Sequence, residues 1–179
     1  MQVKFALLAS LIGTTFAAPA QSSIEKRDFI TIDNALNSVN SATQTLDTAV
    51  KAFDGSIDSL LAVNTDSGNV LTAIQNANTA VAGTSPVLLA GALAVAGTTT
   101  KLVQTVDTTI DDLIDKKPAF DTAGVTSLVL SQLQQQSDAS NTLGQTIKGK
   151  VPLLAKPIAD VLNAQISSAF QRGIKAFSS

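Results

Sequence analysis

Asp107, Asp111 and Asp115 recur every four residues, with Asp112 beside Asp111. On a helix that spacing sets carboxylates along one face, and carboxylate oxygen is the donor a hard cation takes. Calcium sites, however, draw several oxygens from a loop, so the four aspartates read as a solvated acidic face. Acid–base work by paired carboxylates needs two Asp brought together in a cleft, and nothing in the sequence points to such a pair. Serines are plentiful, but a Ser-His-Asp triad is impossible without His, and no motif supports a Ser–Lys dyad. From Asp28 to Ser179 the chain has no His, Cys, Met, Trp, Tyr or Glu; its titratable side chains there are 13 Asp, 8 Lys and one Arg, Arg172. Such a chain can pack, bind apolar molecules and coat surfaces, and it is poorly equipped for catalysis. No catalytic residue, metal ligand or cofactor is expected.

The ends suggest processing. Lys4 precedes a short apolar run, Phe5 to Phe16, which is too short to span a bilayer. Thr15-Phe16-Ala17 places small residues at the −3 and −1 positions of a signal-peptidase site, so 1–17 is expected to be a signal peptide. Lys26-Arg27 then precedes Asp28 in the dibasic pattern of kexin-type cleavage, which makes 18–27 a short propeptide and 28–179 one domain. The chain is expected to be secreted. After removal of 1–27 it carries 9 basic and 13 acidic residues, a net charge of −4. Without a basic patch or aromatic platform, nucleic-acid binding is not expected. Without Cys, the core alone must hold the domain. No apolar tail follows Phe177, so no GPI signal is expected. The 32 Ser and Thr of 28–179 make its solvent face mainly hydroxyl and amide.

Pro and Gly punctuate five amphipathic runs. The first, Ile32, Leu36, Val39, Thr43, Leu46, Val50 and Phe53, alternates by four and three and ends at Gly55. The second takes Ile57, Leu60, Leu61, Val70, Ile74 and Val81, with a weak middle at Asn64–Gly68 where a kink is expected. Ser85-Pro86 opens the third, which carries Leu89, Leu93, Val103, Val106, Ile110 and Leu113, and Pro118 stops it. The fourth starts near Asp121 or Thr122 and uses Val125, Leu128, Val129, Leu133, Leu143 and Ile147. The fifth begins around Pro152 with Ile158, Leu162, Ile166, Phe170, Ile174 and Phe177. There is no convincing strand pattern. The expected fold class is all-α: an up-and-down bundle of about five amphipathic helices with short loops.

Val87–Ala96 is apolar on every side and built of small residues with Gly91 and Gly97 nearby. It reads as a buried central helix, as the wall of an apolar cavity, or as a face that opens onto a hydrophobic surface. A dry apolar void would favour a lipid chain.

The segment Lys116-Lys117-Pro118-Ala119-Phe120-Asp121-Thr122-Ala123-Gly124 is followed by Val129, Leu133, Leu143, Lys150-Val151-Pro152 and the Ile166–Phe177 helix. Together with the Ile32-to-Phe53 run, it resembles the fungal hydrophobic surface-binding protein A family, which includes the antigenic cell-wall galactomannoproteins. The resemblance covers nearly all of 28–177. It implies a secreted, non-enzymatic helical domain that adsorbs to hydrophobic surfaces, recruits polyester-degrading hydrolases there and binds fatty acids inside the bundle. Cell-wall members often add a Ser/Thr/Pro-rich tail or a GPI signal, so a freely secreted or loosely wall-associated form is expected here. The family offers no catalytic residue to carry over.

Two functions follow as expectations: a carrier of fatty-acid-like lipids in the bundle interior, or a surface-active coat or adhesion protein. For the carrier, the expected lining is Phe53, Leu60, Leu89, Leu93, Val106, Leu128, Ile158, Leu162 and Phe170. Each is equally explained as plain core. The head group need not meet a cation and can rest in water or on a Ser, Thr, Asn or Gln side chain.

Overall fold

The computed structural model describes residues 19–178. Five long helices carry the chain: α1 (Pro19–Ala52), α2 (Ile57–Ala82), α3 (Leu89–Asp115), α5 (Thr126–Lys150) and α6 (Lys156–Phe177). A six-residue helix, α4 (Lys117–Thr122), and a 3-10 turn at Leu153–Ala155 fill two of the connections. The inward faces follow the 3.6-residue period. On α1, Ile32, Leu36, Val39, Leu46 and Val50 are buried, and on α2 Val63, Val70, Ile74 and Val81.

The long helices close into a ring. α1 packs on α2 and α3, α2 on α5, α5 on α6, and α6 on α3. Successive long helices reverse direction along the chain, but a ring of five cannot alternate throughout. Three neighbouring pairs are therefore parallel, and cross-links at a fixed sequence offset mark two of them. Between α1 and α3 the Thr98 hydroxyl donates to Asp33, and that of Thr105 to Asn40 at 2.7 Å, each across 65 residues. Between α2 and α5 the Gln132 amide donates to Asn64 at 2.8 Å and the Thr146 hydroxyl to Asn78 at 2.6 Å, each across 68 residues. The third pair, α3 and α6, is joined where the Arg172 guanidinium donates to Asp107 and Asp111, both at 2.8 Å.

Each end of the bundle is tied. At the upper end the Val87 N–H donates to the Lys150 carbonyl at 2.8 Å. Lys150 Nζ in turn donates to the carbonyls of Ala82 at 2.9 Å and Thr84 at 2.6 Å, partnering backbone groups left over at the end of α2. At the lower end Phe53 and Phe120 stack with centroids 4.2 Å apart, and Phe177 meets Phe120 edge-on at 6.0 Å. Such pairs contribute about 0.5–1.5 kcal/mol each beyond their buried area. Phe120 is fully buried, so the work of α4 is to deliver one ring into this plug.

The turn between α1 and α2 shows how local chemistry sets direction. Gly55 takes φ +87°, a conformation that costs other residues a steric penalty. Ser56 then caps α2 by accepting from the Ser59 N–H at 3.3 Å. The Asp54 carboxylate accepts from the Ser56 N–H at 2.9 Å and the Ser59 hydroxyl at 2.7 Å. These bonds, the Ser56 side chain foremost, pull its pKa down to about 2.

Several boundaries differ from the sequence expectations. The weak middle of α2 does not interrupt the helix, because the buried Gln136 amide on α5 donates to the Ser67 hydroxyl at 2.8 Å and carbonyl at 3.1 Å. Ser85-Pro86 does not open α3, which starts at Leu89; the Ser85 N–H is taken by Asp28 of α1 at 3.2 Å. α3 does stop short of Pro118, at Asp115, and Pro118 then sits in the first turn of α4, where its missing N–H costs nothing. Pro157 likewise sits in the first turn of α6, so that helix begins at Lys156 rather than at Pro152. The cut expected after Ala17 lies outside the described residues, and Lys26 and Arg27 are exposed on α1.

Candidate functional site

The ring does not fill its own centre. A cavity of about 70 Å³ lies along the bundle axis, and every long helix contributes to its wall. α1 supplies Leu36, Val39 and Leu46, and α2 supplies Val70 and Ile74. α3 contributes along its whole length, from Ala92 and Val95 to Leu113. α5 adds Leu143 and Ile147, and α6 adds Ile158, Leu162 and Phe170. The void persists because small side chains face inward where leucines could have filled it. Ala92, Val95 and Thr99 take the inner face of α3, while Leu89 and Leu93 of the same helix point out, 43% and 53% exposed.

Polar wall groups are mostly spent within the protein. Thr43, Thr99 and Thr109 each donate to a carbonyl four residues earlier, at 2.9, 2.8 and 2.8 Å. The Gln136 amide donates across to Ser67. No charged residue is among those lining the cavity. The wall is therefore apolar in effect, and such a void stays dry and accepts apolar guests. The half-buried wall positions Ser140, Gly144, Ala159, Asn163 and Ile166, with exposed Ile158, concentrate on α5 and α6. The α5–α6 seam thus holds most of the wall residues that reach solvent, with Ala96 of α3 the other half-buried one.

The charged groups work on the outside. Asp107 and Asp111 hold Arg172, and Lys51 bridges Asp47 at 2.6 Å and Asp112 at 3.2 Å. Asp47 Oδ1 is buried without a hydrogen bond, and buried Asp112 Oδ2 has the Lys51 ammonium beside it at 3.2 Å. Burial, and next the carboxyl of Asp47 beside it, push the Asp112 pKa up. Among the described residues no three carboxylates converge in a way that could hold a metal.

The residues expected to line a cavity fall into three groups. Val106, Ile158, Leu162 and Phe170 lie on its wall. Phe53 sits in the aromatic plug, and Leu60 packs half-buried against the core. Leu89, Leu93 and Leu128 lie on the surface, Leu128 at 40% exposure. The inner face of α3 was missed because Val87–Ala96 is apolar all round, so periodicity gives no phase there. The close approach of α1 settles it: a Cβ on Gly91 would lie 3.6 Å from Phe29 Cβ. Ser140, Gly144 and Asn163 of the wall have no sequence signal of their own.

A second feature sits at the upper end. Leu88, Leu153, Leu154 and Val161 are 58–79% exposed at the starts of α3 and α6, beside Leu89, Leu93 and Ile158. Exposed apolar residues grouped in this way mark contact surfaces. No helix of the described residues is long and apolar enough to cross a membrane.

This architecture has relatives. The chain is 32% identical over 93% of its length to cell wall mannoprotein 1 of Aspergillus flavus, and 30% identical over 98% of its length to that of Aspergillus fumigatus. It spans only 59% and 60% of those two relatives. Among solved structures it superposes on ligand binding domain 1 of the Penicillium marneffei MP1 protein complexed with arachidonic acids. The TM-score is 0.81 at 28% identity, covering 86% of this chain and 100% of that one. It also superposes on AFMP4P in complex with palmitic acid, with TM-score 0.81 at 26% identity, covering 83% and 99%. Residues 30–149 match the family described as hydrophobic surface binding protein A, and the chain belongs to that family.

Proposed function

We propose that this chain is a secreted, non-enzymatic carrier that takes a long-chain fatty acid into the cavity between its five helices. The observation that supports it most is the cavity, apolar in effect and walled by every long helix, in a fold shared with two domains solved with fatty acids. Each methylene drawn from water contributes about 0.8 kcal/mol, so ten of them offer about 8 kcal/mol against the ordering costs of binding. At roughly 10–15 Å³ per water-sized group, 70 Å³ admits about five to seven such groups. A long acyl chain needs more room, so the ring widens on binding or part of the chain stays in the α5–α6 seam.

Titration of the delipidated protein with palmitic acid tests this. Saturation at one or two ligands per chain is expected. Ligand at a hundred times its Kd adds about 2.7 kcal/mol of stability, a rise of roughly 5–10 °C in Tm for a domain of this size. Uptake without a fixed stoichiometry, or an unmoved Tm, refutes it.

The leucines exposed at the upper end favour a second reading: adsorption to hydrophobic surfaces, where the protein would recruit secreted hydrolases. Adsorption would scale with surface area rather than saturate per chain. Removal of 1–17 and 18–27 during export, and an extracellular location, in the cell wall or outside it, complete the proposal.

A further inference from the structure

We propose that Leu46, Leu113 and Gln136 form a partition across the lower end of the cavity and so set the length of acyl chain that the protein accepts; this rests on the fatty-acid reading above. A second, smaller void of about 10 Å³ lies beyond the cavity. Leu46, Leu113 and Gln136 line both spaces. Each is the lowest wall residue that its helix gives to the cavity: Leu46 on α1, Leu113 on α3 and Gln136 on α5. The rest of the small void belongs to the next turns down, Val63 and Ser67 of α2 and Val129, Gln132 and Leu133 of α5. The two voids are thus stacked along the bundle axis with three side chains between them.

This end of the cavity is blind. Leu46, Leu113 and Gln136 are all buried. The Gln136 amide donates to the Ser67 hydroxyl at 2.8 Å and carbonyl at 3.1 Å, across 69 residues, so its side chain is held between α5 and α2. A chain end that pushed past it would leave a buried amide unpaired, which costs more than the bond itself contributes. The wall residues that reach solvent, Ala96 on α3 and those of the α5–α6 seam, all lie higher. A charged head group stays with water, so the chain enters with its methyl end leading and comes to rest against the partition. Each methylene that fits multiplies affinity about fourfold. A methylene too many must stay outside the cavity and adds little. The three side chains therefore measure the chain.

The test measures affinity for the even-numbered saturated acids from octanoic to arachidic, by displacement of a fluorescent fatty-acid probe, on wild type, Leu113→Ala, Leu113→Val and Ile74→Val. Wild-type affinity should climb along the series and then level. Leu113→Ala removes three carbons of the partition and joins to the cavity a void with room for one water-sized group, so the climb should run about four methylenes further. The first acid beyond the wild-type limit should then bind about tenfold more tightly than its shorter neighbour. Leu113→Val trims a single carbon, disturbs the core less, and keeps the test readable if the alanine variant does not fold; the same acid should gain about fourfold. Ile74→Val trims a single carbon from the side wall and should leave the limit in place. If wild type levels and the Leu113 variants level at the same acid, or if Ile74→Val moves the limit as far as Leu113→Val does, the partition is refuted and the fatty-acid reading stands. A wild-type affinity that climbs through arachidic acid also refutes the partition alone. If no acid displaces the probe from wild type, the fatty-acid reading fails and the partition fails with it.

Discussion

Ala92→Leu tests whether the central void is the ligand's space. Ala92 is 3% exposed and lines the cavity from α3, and Leu matches Ala closely in helix propensity. The added isobutyl carbons point inward. Closing the whole 70 Å³ at about 24 cal/mol per Å³ would contribute at most about 1.7 kcal/mol. Imperfect fit costs about 1–3 kcal/mol when a core is overpacked. The ligand-free variant should therefore lie between about 1.3 kcal/mol less stable and about 1.7 kcal/mol more stable, a Tm within about 7 °C of wild type either way. The same three carbons take space from about three ligand methylenes. At 0.8 kcal/mol each, that is about 2.4 kcal/mol, or roughly fiftyfold in affinity for palmitic acid. Scanning calorimetry reads the first effect and calorimetric titration the second. A variant that folds with unchanged palmitic acid affinity places the ligand outside this cavity. A variant that loses several kcal/mol shows that the void is not free to be filled.

Three further outcomes follow. Phe120→Ala removes the central ring of the lower plug, and thermal unfolding should show a loss of about 3–5 kcal/mol, with ligand affinity in the refolded fraction little changed because the plug lies off the cavity wall. The Asp54 pKa is lowered, to about 2, so its stabilisation is present above the unfolded value near 3.8 and is lost as pH falls through about 2; amide exchange at Ser59 should speed up across that window, and Asp54→Ala should flatten the change. The Asp112 pKa is raised, so the cost of its ionisation is absent at low pH and appears as pH rises through that raised value; Asp112→Asn should raise Tm above that pH and leave it nearly unchanged below, as read by melting at a series of pH values.

The helical architecture was legible because its signal is periodic and repeated. The run from Ile32 to Phe53 alternates by four and three, and the structure buries all seven residues named in it. Prolines were harder to read. Pro118 and Pro157 both lie in a first helical turn, where a missing N–H is harmless, and a proline carries no local mark that separates this role from a stop. The cavity wall was legible only where a helix has a polar side to fix its phase. α6 does, and Leu162 and Phe170, expected as lining from their spacing, are buried on the wall, while Ile158 reaches the wall at 40% exposure. The first turns of α3 have no polar side, and the large leucines went out while Ala92 and Val95 went in, a choice made by the close approach of α1. Asn163 against Gly144 is a contact between two helices, and neither residue type announces it.

The most direct test of the central claim is native mass spectrometry of the protein secreted by a fungal host, followed by lipid extraction. A discrete added mass of fatty-acid size at one or two per chain, lost on delipidation and restored with palmitic acid, is the predicted result. A bare mass that stays unchanged after incubation with long-chain fatty acids would contradict the carrier account and leave surface adsorption through the exposed leucines as the function.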